Sequence, residues 1–463
     1  TFHMIIPLSV TLYFLVKIKN FCSRALILSK KMELAALSPV YSEISSTLSG
    51  LIIIRVYKQG ARFIQKFLDL VYQTTKVSYT QSRIQRIFGV LLQTFVYFLV
   101  VTGLFIFIIA AYYGGLDSAL FGLALYYFIM MGTNSVFMIR LTMFIDINMQ
   151  SAQRMLEFTD IEQEAPNELY ADKQVLQEHN DVWPSQGEVS FQNVHLKYRG
   201  ASRYALCGVD FTIPAGSKIG IVGRTGAGKS SLLQALFRMA EIEEIPGSQI
   251  RIDGVHIKRI GLEFLRKNIC IIPQTPIIFS GTIRRNLDPF DEVPDSKLWE
   301  VLEEVNLKTY VEQLDKKLDT EIGFSSSIFS AGQKQLICLA RVLLKKSKLL
   351  ILDEATANVD IETDDFIQNK IKEKFAGATI MTIAHRLTTI ADYDKIMVLE
   401  KGRIEEFDHP YKLLVEKVGD PTITRKNGMF AKMVLNNGEK TANKIFEIAY
   451  ASYEWARKHK GHV

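Results

Sequence analysis

Apolar positions are unevenly distributed along the chain: nearly all the long uncharged runs fall before residue 140, and nearly all the acidic residues fall after it. Residues 87–113 carry no charge and are long enough to cross a hydrocarbon core of roughly 30 Å at about 1.5 Å per helical residue. Gly89 and Gly103 lie inside this run, where a bilayer tolerates them. A short turn follows at Gly114, Gly115, Leu116, Asp117 and Ser118, and then a second uncharged run, 119–139, which Arg140 ends. Two buried core helices would explain either run alone but not both in tandem. Residues 1–16 are apolar but short for a span, with no basic lead and no small-residue cleavage site. They read as the remainder of a membrane helix, and the sequence as part of a longer one.

Residues 17–86 show no strand-like alternation. Apolar residues recur at helical spacing through Phe63, Phe67, Leu70 and Val71, with charges between. Pro39 after Ser38 predicts a short helix starting there, because proline is favoured in a first turn. Two stalk helices with a cross-helix between them would reach well below a membrane. Residues 140–160 continue the last helix. Residues 161–186 are polar and punctuated by Pro166 and Pro184, so they read as a linker. From Gly187 to about residue 437 the pattern becomes short alternating strands, then strand and helix in turn, which predicts an α/β domain. Residues 438–463 read as an amphipathic basic tail helix that is solvated by default.

The 463 residues carry a formal net charge of +6. The basic residues are not gathered into one stripe, so nucleic acid is not the implied partner. Many of them (Lys17, Lys19, Arg24, Lys30, Lys31, Arg55, Lys58, Arg62, Lys66 and Lys76) lie in 17–86. The turn at 114–118 has none, which puts 17–86 on the cytoplasmic side of a lipid bilayer. Cys22, Cys207, Cys270 and Cys338 are scattered and read as reduced thiols.

Gly223, Arg224, Thr225, Gly226, Ala227, Gly228, Lys229 and Ser230 fit the phosphate-binding loop G-x-x-x-x-G-K-[ST]. The loop follows an apolar strand and precedes a helix that starts around Ser231, the context its chemistry needs. Backbone N–H groups close around phosphates, Lys229 contacts the β- and γ-phosphates, and the Ser230 hydroxyl takes Mg²⁺. Residues 349–354, Leu-Leu-Ile-Leu-Asp-Glu, are a buried apolar strand ending in carboxylates. There Asp353 would hold Mg²⁺ through water and Glu354 would act as general base on the attacking water.

Between these motifs, Phe329, Ser330, Ala331, Gly332 and Gln333 resemble the L-S-G-G-Q signature of ATP-binding-cassette proteins. Further elements of that family are in order: Tyr198 resembles the aromatic that stacks on adenine, and Gln274 the glutamine linking Mg²⁺ to the membrane domain. Asp360 closes a segment similar to the D-loop, and His385 resembles the switch histidine that contacts the γ-phosphate. The stretches 220–231, 279–289 and 352–360 are similar to the second nucleotide-binding domain of the C subfamily, the multidrug resistance-associated protein group. Residues 38–46 with Gly50 and Arg55 are similar to its last coupling helix, and the linker 160–184 resembles one member in particular.

The resemblance implies a partial α-helical transmembrane domain of exporter type, residues 1–160, with spans at 1–16, 87–113 and 119–139 and stalk helices over 17–86. It further implies a linker at 161–186, an α/β P-loop cassette with a helical subdomain at 187–437, and a tail at 438–463. ATP and Mg²⁺ would be held here with catalysis by Glu354, His385 and Gln274. The partners would be an upstream half, with the first transmembrane and first nucleotide-binding domains, and a small organic anion as cargo. In that assembly each ATP lies between one P-loop and the other cassette's signature, so residues 329–333 would complete a poorly hydrolysing site. Phe329 and Ala331 depart from the signature, and the Ala331 methyl would restrict backbone approach to phosphate. An exporter of amphipathic anions is the first reading. A channel or channel regulator of the same subfamily, or an exporter of lipid, peptide or heavy metal, is the alternative. Arg140 has two readings as well: an end-of-span arginine reaching the interface, or, by resemblance, a cavity arginine pairing with substrate anions beside Phe137.

Overall fold

The computed structural model describes residues 2–114, 118–323, 328–345, 347–353, 361–384 and 386–460. It divides into two compact units, Thr1–Gln163 and Glu164–Val463.

The first unit is helical: α1 Phe2–Ser49, α2 Leu51–Val56, α3 Gly60–Gly114 and α4 Ser118–Glu157. The expected runs 87–113 and 119–139 lie inside α3 and α4. Among the described residues, Gly60–Phe105 contains a window apolar and long enough to cross a membrane. No helix begins at Ser38. Pro39 sits inside α1, where it removes one backbone donor from the preceding turn. In that turn the Ala36 carbonyl accepts from the Thr74 hydroxyl of α3 at 2.9 Å. Ser78 donating to Glu33, and Lys66 paired with Glu43, tie the two helices together on both sides of the proline. The break comes instead at Gly50, and the short cross-element is α2. Leu51, Ile52, Ile53, Val56 and Tyr57 are all exposed there.

The second unit begins with the segment expected to be a linker, and that segment is folded. It contains α5 Tyr170–Glu178. Asp172 accepts from the Leu169 and Gly261 N–H groups, while the Pro166 and Asn167 carbonyls accept from Leu262 and Glu263. Trp183 stacks on Phe264 at 5.3 Å. Its polar residues thus satisfy backbone groups of the neighbouring domain and do not simply face water.

Next come β1 Val189–Leu196, β2 Leu206–Ile213, β3 Lys218–Gly223, α6 Lys229–Leu236, β4 Gln249–Ile252 and β5 Val255–His256. α7 Leu262–Asn268 and β6 Cys270–Ile272 follow, then the paired short strands β7 Gly281–Thr282 and β8 Glu321–Ile322. The last strands are β9 Leu349–Asp353, β10 Thr379–Ile383, β11 Lys395–Glu400 and β12 Arg403–Asp408. One sheet, in order β2-β1-β4-β5, is antiparallel. The main sheet runs β12-β11-β3-β10-β9-β6, parallel except for the edge strand β12. Strands such as β9 and β10 are apolar almost throughout because helices or a second sheet cover both faces.

One core joins the two sheets with α6. A second lies between the β6, β9 and β10 side of the main sheet, the helix Ile361–Lys374 and a helical subdomain built from residues between β6 and β9. A third lies under the tail, which is not a solvated helix. In the helix Glu439–Lys460, Ala442, Ile445, Phe446, Ala449 and Tyr453 form one buried stripe against Tyr411, Leu414 and Phe430. Burying such side chains stabilises by about 1.5–3 kcal/mol each for the larger ones, which is why the amphipathic pattern docks.

Candidate functional site

The parallel strands β11, β3, β10, β9 and β6 all end at the same edge of the main sheet, the edge where open α/β sheets bind ligands. Their register is continuous: Ile221 pairs with Ile383, Ile383 with Asp353, and Leu352 with Ile272. The loop after β3, Asp353 and Gln274 therefore emerge side by side. With about 4.8 Å between neighbouring strands, β3 and β9 are separated by roughly 10 Å.

The loop after β3 has the backbone of a phosphate cradle. Gly226 and Gly228 have φ +81° and +106°, a region that favours glycine. A Cβ on Gly228 would lie 2.8 Å from the Ala205 carbonyl, whereas one on Gly226 would meet nothing within 4 Å. The loop is thus braced against β2 at its base and open at its tip, where Arg224, Thr225 and Gly226 are exposed. Lys229 opens α6, is buried, and donates to the Gly223 carbonyl at 2.8 Å. That bond draws its ammonium back over the loop. Ser230 is exposed beside it at the helix N-terminus, where unpaired N–H groups and the helix dipole favour an anion.

The Ser230 hydroxyl, the Gln274 amide and the Asp353 carboxylate are hard oxygen donors with a single carboxylate among them. That set suits Mg²⁺, which keeps several waters and shares substrate phosphates. Among the described residues no cluster of three or more His, Cys, Asp or Glu side chains could hold a metal by itself.

Tyr198, after β1, stands over the same helix. Its phenol oxygen lies 2.6 Å from Gln234 Oε1 and 3.0 Å from Ser231 Oγ.

The signature residues belong to the other core. Phe329 is buried in the helical subdomain, 5.6 Å from the Tyr310 ring, and Tyr310 donates its hydroxyl proton to the Ile328 carbonyl. The larger ring in place of leucine is therefore a packing residue. Ser330 and Gln333 cap the helix Ala331–Lys345 reciprocally: Ser330 N–H donates to Gln333 Oε1 at 2.8 Å, and Gln333 N–H to Ser330 Oγ at 3.2 Å. Ala331 is exposed and Gly332 half-buried at this helix start. Glu354, Asp360 and His385 lie outside the described residues, as does the Arg140 side chain, while Phe137 is exposed on α4.

A family model described as ABC transporter matches residues 206–357. That stretch runs from β2 through the phosphate loop and the signature to β9 and just beyond. Residues 206–357 form an ABC transporter domain. The C-subfamily resemblance extends over nearly the whole chain: human ATP-binding cassette sub-family C member 4, the member that the linker resembles, is 42% identical over 92% of it. The ATP-dependent bile acid permease of Saccharomyces cerevisiae is 38% identical over 84% of the chain. The chain spans only 30% and 24% of the lengths of these two relatives. A solved structure of a bacterial Atm1-family ABC exporter with ATP bound shares the fold, with a TM-score of 0.77 at 22% identity, covering 93% of this chain and 72% of that one.

Some residues around the ABC domain's site carry no motif. Arg341, on the signature helix, donates to the Asn286 carbonyl, to Asn286 Oδ1 and to the Ile277 carbonyl. Gln335 of the same helix donates to the Pro273 carbonyl, next to Gln274, at 3.4 Å. The signature helix is thus fastened to the segment that leaves this edge of the sheet through Gln274. Burial lowers the Arg341 pKa from its ordinary value, yet three accepting oxygens hold the guanidinium. The sequence holds one signal for Gln234: it lies three residues after Ser231, on one face of a helix.

Proposed function

We propose that the chain is the C-terminal part of an exporter that couples ATP hydrolysis to moving amphipathic organic anions out of the cytoplasm. The observation that carries this reading is the parallel-strand edge, where a phosphate-type loop and oxygen donors suited to a cation follow neighbouring strands, with Tyr198 tied to the helix that leaves the loop. In this reading residues 1–160 are a partial transmembrane domain and 187–437 the second nucleotide-binding domain, with the segment before it and the tail after it packed onto that domain.

Lys229 and the loop N–H groups bind the β- and γ-phosphates, and Tyr198 stacks on the adenine. Ser230, Gln274 and Asp353 would hold Mg²⁺, which when bound neutralises charge on the phosphates. Glu354 orients and polarises the attacking water as general base, and His385 contacts the γ-phosphate. Ser330, Gly332 and Gln333 complete the partner cassette's site, with Asp360 between the two sites. An upstream half supplies that partner cassette and the remaining spans.

The large exposed apolar residues of α3, such as Val90, Phe98, Val101 and Phe105, support a lipid-facing helix, since soluble surfaces rarely present them in a row. The protein is then a multi-pass integral membrane protein of the plasma membrane or an endomembrane, its cassette in the cytoplasm. The yeast relative is named for bile acids, which are amphipathic anions, and this supports the cargo class. Arg140 pairs with the anion, and Phe137 stacks on its apolar part.

The test is uptake of an anionic conjugate into inside-out vesicles carrying the complete transporter. Wild type takes it up with ATP, and Glu354→Gln binds ATP but neither hydrolyses it nor transports, a loss of roughly 10²–10⁴-fold in turnover. Near-normal hydrolysis in Glu354→Gln would remove the residue from its role as base.

A further inference from the structure

The ring of Tyr198 is fastened to the helix that carries the phosphate-binding lysine. A phenol has one proton and two lone pairs. With Gln234 Oε1 at 2.6 Å and Ser231 Oγ at 3.0 Å, it donates to the closer amide oxygen and accepts from the serine. Gln234 and Ser231 are five and two residues after Lys229 in α6. Ser231 is itself buried, so one end of this tether is built into the core of the cassette. The segment between β1 and β2, residues 197–205, bears Tyr198. Its neighbouring tyrosine, Tyr204, faces His195 at 5.8 Å and Lys197 at 5.6 Å instead. Tyr198 is the tyrosine of this segment whose hydroxyl points to the phosphate helix.

We propose that Gln234 is a positioning residue for nucleotide binding: with Ser231 it holds the Tyr198 hydroxyl, so that the ring stands at a fixed height and tilt above the phosphate loop. The inference rests on the reading of Tyr198 as the adenine platform. Its physical content is preorganisation. A ring already held needs no ordering when the base arrives, and the distance from base to phosphate is set through one short helix. A ring without its tether still stacks, but the cost of fixing it falls on binding. A ligand without a base gains nothing from the tether.

The experiment measures equilibrium binding of ATP and of inorganic tripolyphosphate to the purified 463-residue chain in detergent. The variants are Tyr198→Ala, Tyr198→Phe, Gln234→Met and the double variant Tyr198→Phe/Gln234→Met. Tyr198→Phe keeps the ring and loses the hydroxyl, and Gln234→Met keeps side-chain length and loses the acceptor. Each should weaken ATP binding by about three- to tenfold and leave tripolyphosphate binding unchanged. The double variant should be no weaker than the worse single one, because both remove the same bond. If Tyr198→Ala weakens ATP binding while Tyr198→Phe and Gln234→Met bind as wild type, the tether is overturned and the platform stands. If tripolyphosphate weakens in step with ATP, Gln234 supports α6 in general and the proposal is overturned. If Tyr198→Ala leaves ATP binding unchanged, the platform reading fails and the inference fails with it.

Discussion

The two units of this chain use the same apolar side chains and place them in opposite positions. In the second unit the large aliphatic residues of β9 and β10 are sealed between layers, with Leu349, Leu350 and Ile351 at 0% exposure. In the first, Ile52 is 79% exposed, Phe105 68% and Tyr112 83%. Burial of apolar area is the main favourable term in folding in water, so the second unit is complete with respect to that term and the first is not. The difference teaches where each unit's surroundings enter: the cassette carries its own core, and the helices of Thr1–Gln163 rely on lipid or on further protein to cover them.

The sharpest way to break this comparison is to separate the units. Residues 164–463 alone should remain soluble and monomeric in dilute buffer, whereas residues 1–163 should need detergent or lipid to stay in solution. Sedimentation of each with and without detergent checks both, and a soluble first unit would show that its exposed residues find cover within the chain.

A second effect concerns the tail helix that completes the cassette. His409 is buried under Tyr453, with its Nδ1 accepting from the Tyr411 N–H and its Nε2 without a partner. Burial pushes its pKa down to about 4, against the raising influence of Asp394 and Asp408, while Lys412 lowers it further. The folded value lies below the unfolded one of roughly 6.5, so the unfolded chain takes up the proton first. Stability is full above pH 6.5, falls as pH drops below it, and levels off below about 4, a loss of about 3 kcal/mol. Denaturant melts of residues 164–463 at pH 7 and pH 4.5, wild type against His409→Phe, should show this component in the wild type alone.

A smaller effect tests the open unit. If Arg140 pairs with the cargo anion, Arg140→Ala in the complete transporter raises the half-saturating concentration of an anionic conjugate by about ten- to a hundredfold. Basal hydrolysis should not change. Normal transport by both Arg140→Ala and Arg140→Lys would leave the residue as a membrane anchor.

The same contrast explains what could be read from the sequence. The phosphate loop and the strand ending at Asp353 were legible because their chemistry is local: a few adjacent residues on a strand–loop–helix or at a strand end. The helical subdomain followed from the signature motif. The sequence alone puts the break between α1 and α3 too early, at Pro39, because a proline's cost is visible locally while the packing of α3 that offsets it comes from residues 66–78. The segment 164–186 looked like a loose linker because its polar residues have their partners about 90 residues away, as with Asp172 and Gly261. The tail looked solvated because its apolar stripe is narrow and the surface that receives it, around Tyr411 and Phe430, is assembled only in the fold. Gln234 carries no motif for the same reason: its partner is 36 residues earlier in the chain.

The central claim is that the edge of the main sheet beside α6 is an ATP site organised by Lys229. Equilibrium ATP binding to the purified chain, wild type against Lys229→Ala, tests it most directly. The account predicts that Lys229→Ala loses at least tenfold in affinity, the share of one charge-assisted contact, with the fold intact by circular dichroism. Equal affinity in the two proteins would contradict it.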